Sequence, residues 1–199
     1  MDKQLSRLEQ QLQFIVEIDK VKKITRQTYL ADLSRKENDA EHSWHMALMA
    51  FILKEYANEE VDVLHVIEML LIHDLVEIDA GDTYLYDEEA RKEAAIREEK
   101  AAQRIFQMLP KEQEKYVYDL WREFEDRETP ESKFANTLDR VQPILLNDAG
   151  DGLAWREHEV NIDQVMTMNH RTKDGSNVLW NHLLEIFEKH MNQGNIKRS

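Results

Sequence analysis

The stretch from Glu68 to Asp82, EMLLIHDLVEIDAGD, constrains this chain more than any other. It opens as an apolar helix, sets His73 beside Asp74, places Glu77 about one turn later and stops at the turn Ala80-Gly81-Asp82. An imidazole and a carboxylate at the inner end of an apolar helix are costly to bury unless something pairs with them. A divalent metal ion pairs with both at once, so the remaining sequence can be read for further ligands.

The surrounding pattern is helical. Leu5, Leu8, Leu12, Ile15, Ile18 and Val21 recur three or four residues apart, the stripe of an amphipathic helix over residues 3–22. Lys20, Lys22, Lys23 and Arg26 follow, where cations favour the helix dipole. Residues 25–38 read as an irregular connection. Asp39 is placed to cap a helix that runs to about Tyr56, and Asp62 to cap the one that delivers His73-Asp74. A highly charged helix is expected from about Asp87 to Met108, its alternating signs indicating a solvated face. Pro110 and Thr129-Pro130 open two more helices, with Pro at the first helical position in the second. Gly150 and Gly152 mark a loop, and helical patterns near 161–169 and 176–191 close the chain.

Only 5 Gly and 3 Pro occur in 199 residues, which favours long helices over a many-turned sheet protein. The length suits one domain with a real core, and no repeat or linker divides it. The expectation is an all-α, single-domain helical bundle spanning residues 1–199. Cysteine is absent, so disulfides and thiolate metal sites are excluded. That absence suits a reducing cytosol, and the polar start MDKQLSRLEQQL lacks the apolar block of a signal peptide, so a cytoplasmic location is expected. No apolar run approaches the roughly 20 residues of a membrane span. The net charge of −14 disfavours nucleic acid polymers and anionic membranes as partners. It leaves room for an anionic small molecule, because a bound metal and a few arginines reverse the field locally.

Four residues stand out as metal ligands: His42, His73, Asp74 and Asp139. Each lies on an apolar-flanked helix, and any one of them alone is more often a hydrogen-bonded structural group. Together they would supply two nitrogens and two carboxylate oxygens. Such a set leaves positions open to water and suits six-coordinate Mn²⁺, Co²⁺, Fe²⁺ or Mg²⁺ better than closed tetrahedral Zn²⁺, with the identity of the ion open among these five. His45 is read as a neighbour of the ligands or a core residue, and Trp44, Trp121, Trp155 and Trp180 as core or interface anchors.

His42, the His73-Asp74 pair and the distant Asp139, in that order on helices, resemble the ligand signature of the HD-domain metal-dependent phosphohydrolases. With Glu41-His42-Ser43, Glu77, Gly81-Asp82 and Leu138-Asp139 added, the chain is similar to the branch that contains the 5′-deoxynucleotidases. The resemblance runs from about Phe14 to the final helix. It implies release of phosphate from nucleoside 5′-monophosphates by water activated on the metal. Glu77 would then act as general acid or base, or else hold a ligand imidazole in place. Asp82 would accept hydrogen bonds from sugar hydroxyls, or simply form the turn. Arg26 resembles the family's substrate-contacting arginine, whose fork matches a phosphate. The chain departs from the pattern at the next residue, where Gln27 stands in place of the common Trp. That departure leaves open a phosphodiesterase or pyrophosphohydrolase acting on another nucleotide. A third reading is a helical regulatory dimer without catalysis. Relatives of this type resemble homodimers, so a second copy is an expected partner.

Overall fold

A computed structural model describes residues 5–81 and 88–199. Within them the chain is all-α apart from one short hairpin. Helix α1 (Arg7–Ile18) starts at a capping box, in which Ser6 and Glu9 each satisfy the other's backbone amide. A 3₁₀ turn, Asp19–Lys23, follows, and two of its three lysines are taken up locally: Lys20 pairs with Glu17 and Lys22 with Asp19.

Residues 25–38 are more ordered than the sequence suggests. Strands β1 (Thr25–Tyr29) and β2 (Lys36–Asn38) pair antiparallel, with Thr25 opposite Asn38 and Tyr29 opposite Lys36. Arg26, Gln27 and Thr28 therefore bulge opposite the single residue Glu37. Bulges re-aim side chains next to functional sites, and this one turns all three residues toward the cavity described below. The strands TRQTY and KEN carry no apolar alternation, which is why no strand pattern is visible in them.

Helix α2 (Asp39–Leu53) is capped by Asn38, whose side chain accepts from the Glu41 amide while the Glu41 carboxylate accepts from the Asn38 amide. The cap thus falls one residue before the expected Asp39, which is freed for a buried ion pair. Asp62 caps α3 (Val63–Ile72) as expected, accepting from the amides of Leu64 and His65. At His73 the helix tightens into a 3₁₀ turn, His73–Val76, and then resumes as α4 (Glu77–Ala80). Gly81 ends it at φ 77° and ψ 149°, a conformation essentially restricted to glycine.

The second half comprises α5 (Glu88–Phe106), α6 (Lys111–Asp126) and α7 (Pro130–Ala149). It continues with the short α8 (Leu153–Glu157) and α9 (Ile162–Asn169), then α10 (Thr172–Gly175) and α11 (Asn177–Gln193). Thr129 caps α7, with Pro130 at its first position. α10 lies close against α7: a Cβ at Gly175 would collide with the Lys133 carbonyl and the Thr137 hydroxyl.

Two apolar clusters hold these helices. The larger includes Met46, Met69, Leu70, Phe134, Leu138 and Leu183, all fully buried. The smaller gathers Phe14, Leu75, Val76, Ile105, Phe106 and Trp121. Each such buried side chain contributes about 1.5–3 kcal/mol. Ile72 packs against both clusters, so the His73-Asp74 pair sits at the seam between them. Among the described residues no helix is long and apolar enough to cross a membrane.

Candidate metal centre and substrate cavity

Three helical segments converge at that seam. α2 contributes His42, the 3₁₀ turn contributes His73 and Asp74, and the middle of α7 contributes Asp139. Ligand atoms of His42, His73 and Asp139 all lie within 4.8 Å of one another. His42 Nε2 is 3.1 Å from Asp139 Oδ1 and 3.9 Å from Asp74 Oδ2. His73 Nε2 is 3.0 Å from Asp74 Oδ1 and 3.9 Å from Asp139 Oδ1.

The protonation pattern of the imidazoles shows what this arrangement suits. His73 Nδ1 donates to the Leu70 carbonyl at 3.0 Å, and His42 Nδ1 donates to Gln142 Oε1 at 3.0 Å. In the neutral ring each Nε2 therefore carries a lone pair, and both lone pairs face carboxylate oxygens. His73 Nε2 is buried and has no hydrogen-bond partner among the described residues. Lone pairs and carboxylates packed together repel unless a cation sits among them, so this donor set fits a divalent metal.

The residues around the ligands fix them. The Gln142 amide nitrogen donates to Glu37 Oε2 at 2.9 Å and lies 3.2 Å from His45 Nδ1, which leaves its oxygen to receive the His42 proton. His45 reaches the ligands only by way of Gln142 among its described contacts. Arg26 Nη1 donates to Asp74 Oδ2 at 2.8 Å and to Asp39 Oδ1 at 3.2 Å, with its Nε 3.8 Å from Glu37 Oε1. Burial opposes charge on Arg26, but Asp74 and Glu77 outweigh it and raise the pKa. Burial and Arg26 likewise oppose charge on His42, yet its contacts with Asp139 and Glu37 prevail and hold the pKa up at about 9. Asp74 is brought down to about 2 against the effect of burial, chiefly by His73 and Arg26. Asp139 lies well below the carboxylate range because His42, Arg140 and His73 outweigh its burial.

Beside the ligands opens a cavity of about 340 Å³, near the small end of the size range of small-molecule sites. His73, Asp74, Asp139, Arg26 and Glu77 line it, and so does Gln27, whose Oε1 accepts from Lys36 Nζ at 2.5 Å. Asp82 lies outside the described residues. Sequence reasoning missed Glu37, Asp39 and Gln142, and it missed Glu98, Glu125, Arg127 and Arg140 on the cavity wall. Gln142 carries a usable signal, since a Gln one turn after Asp139 interrupts an apolar helix face. Trp155 is a core residue as expected, 2% exposed, and also meets the cavity. Burial raises the pKa of both wall carboxylates, Glu98 and Glu125. The other histidines serve elsewhere: His65 meets Glu123 at 2.8 Å, and buried His190 meets Asp148 at 2.8 Å.

The helical fold with this constellation at its seam defines the class: residues 18–180 match the HD domain family, and the chain belongs to it. Among solved structures it is similar to a protein of Magnetospirillum magnetotacticum called a predicted metal-dependent phosphohydrolase. The two share 48% identity and a TM-score of 0.92 over 96% of each chain. A conserved hypothetical protein of Pyrococcus furiosus, 19% identical with a TM-score of 0.63, covers 89% of this chain and 99% of its own, and shares the fold. The 5′-deoxynucleotidase HDDC2 of Bos taurus is 31% identical over 135 residues, which are 67% of this chain and 64% of that protein. The match thus spans just under two thirds of that relative's length.

Proposed function

We propose that this protein is a divalent-metal-dependent phosphohydrolase releasing phosphate from nucleoside 5′-monophosphates, deoxy forms included. The observation that carries this reading is the convergence of two imidazole lone pairs and two carboxylates on the wall of a nucleotide-sized cavity. The names of the bovine and Magnetospirillum relatives point the same way. His42, His73, Asp74 and Asp139 would hold one ion of Mn, Co, Fe, Mg or Zn. A divalent ion bound there supplies a water acidic enough to attack phosphorus near neutral pH and offsets charge on the phosphoryl oxygens.

The chain's own groups do the rest. Arg26, held by Asp74 and Asp39, turns its guanidinium toward the phosphoryl oxygens. Glu77 reaches the same cavity and gives a proton to the departing 5′ oxygen. Asp82 is assigned to the sugar hydroxyls. The ligands His42, His73 and Asp74 are buried beside the cavity, where charges act more strongly than in open water.

We also place the protein in the cytoplasm as a single-domain homodimer. Trp44, Leu48, Phe51 and Ile52 expose one apolar face of α2, a surface that a second copy would cover. A metal-loaded sample assayed against deoxynucleoside and nucleoside monophosphates, a cyclic nucleotide and a triphosphate tests the activity. Inorganic phosphate from the monophosphates is expected. Pyrophosphate from the triphosphate, or a monoester from the cyclic nucleotide, would favour the alternative that Gln27 leaves room for. No product at all would favour a regulatory dimer.

A further inference from the structure

Two cations of the cavity wall remain once the metal centre and Arg26 have been accounted for. Arg127 stands at the junction of α6 and α7, and Arg140 follows Asp139 within α7. In a chain of net charge −14, most of the described arginines sit against carboxylates, as Arg35 does with Glu41, Arg104 with Asp79 and Arg122 with Asp126. Arg127 makes no ion pair within 4.0 Å among the described residues, although Asp139 and Glu125 favour its charge from farther away. Arg140 has only Asp139, at 3.9 Å, and that carboxylate is committed to the metal centre.

The backbone adds a second observation. Arg127 closes α6 at φ 57° and ψ 40°, and its amide bonds the Glu123 carbonyl at 3.2 Å. Glycine or asparagine takes this left-handed position most readily, and an arginine there carries a conformational cost. That cost places an unpaired guanidinium on the cavity wall. Burial and the like charge of Arg140 outweigh Asp139 and Glu125 and lower its pKa, and both arginines line the same cavity. They also line a small adjoining depression together with Lys133 and with Arg171, which is paired with Asp174. Two partly buried forks on one wall, neither held in a close ion pair of its own among the described residues, form a site for an anion with several acceptor oxygens.

We propose that Arg127 and Arg140 form a second anion subsite of this cavity, taking a phosphate group of the substrate other than the one cleaved. The proposal rests on the phosphohydrolase reading above and goes beyond it, extending the substrate from a nucleoside 5′-monophosphate to a nucleotide that carries one phosphate more. The second phosphate is either on the other sugar hydroxyl or in the same phosphate chain. The chemistry recognised is the same in both cases.

Calorimetry separates the possibilities. The ligands are deoxyadenosine 5′-monophosphate, 3′,5′-bisphosphate and 5′-diphosphate, titrated into the metal-loaded protein carrying Glu77→Gln to slow turnover. One doubly phosphorylated ligand should bind about tenfold or more tighter than the monophosphate, and which one does so locates the second group. Arg127→Gln and Arg140→Gln should each remove most of that advantage. Arg127→Gly should do the same while relieving the left-handed backbone, so its effect cannot be ascribed to a damaged fold. Equal affinity for all three ligands overturns the proposal. So does an equal loss for all three in the variants, and so does failure of any to bind. Phosphate release is assayed in parallel with Glu77 intact. A binding advantage without release would sink the hydrolase reading and leave the subsite standing, whereas release without an advantage would do the reverse.

Discussion

His42 Nδ1 and Gln142 Oε1 meet at 3.0 Å across 100 residues of sequence, and this hydrogen bond decides which nitrogen of the ring faces Asp139. Glu37 orients the amide in turn. Gln142→Leu should lower metal affinity about 10–100-fold, the usual effect of removing a group that orients a ligand. A chelator competition titration measures this. An unchanged affinity would mean that His42 does not need the bond to present its lone pair.

Glu77 lies on the cavity wall but outside the three residues whose ligand atoms meet within 4.8 Å. Glu77→Gln should therefore keep the metal and lose about 10²–10⁴-fold in kcat, the range for a general acid. Metal content by elemental analysis and kcat are read on the same sample. Loss of metal along with activity would make Glu77 a support for the ligands instead.

The pH dependence follows from His42. Its folded pKa of about 9 lies above the ordinary imidazole value of 6.5, so its charged form stabilises the metal-free fold fully below 6.5 and loses this effect as pH rises through 9. A metal needs the ring neutral and takes the proton's place. The rise in Tm on adding metal should thus be small near pH 6 and grow toward pH 9. Thermal melts with metal and with chelator across that range check it, and a pH-independent increment would contradict the assignment of His42.

Arg26 joins the bulge of the hairpin to the buried carboxylates Asp39 and Asp74. Removing one partner of a buried ion pair costs about 3–5 kcal/mol. Arg26→Ala should destabilise the metal-free protein on that scale in urea, and Arg26→Lys should recover part of the loss because it keeps the charge without the fork. Equal stability of all three would show that the pairs carry no net energy.

Phe51 is 62% exposed on the apolar face of α2. Phe51→Glu should shift the protein from dimer to monomer in analytical ultracentrifugation, since a charge buried at an interface core is strongly disfavoured. A wild-type monomer at micromolar concentration would remove the dimer from the proposal.

Much of this protein is legible locally. The caps Asp62 and Thr129-Pro130, the glycine turn at Gly81 and the helical stripes all rest on interactions within one or two turns, so residue type and spacing determine them. The candidate ligands are legible because His42, His73, Asp74 and Asp139 are polar groups set in apolar helix segments. Tertiary structure decided the rest. The Arg26–Thr28 bulge, the Glu37–Gln142–His42 relay and the left-handed Arg127 depend on contacts between distant segments or on a strained backbone. A polar strand such as TRQTY has no apolar period to announce it, and a buried partner 100 residues away leaves no mark on the local pattern. Those features come into being only when packing brings the segments together and burial makes an unpaired charge too costly to keep.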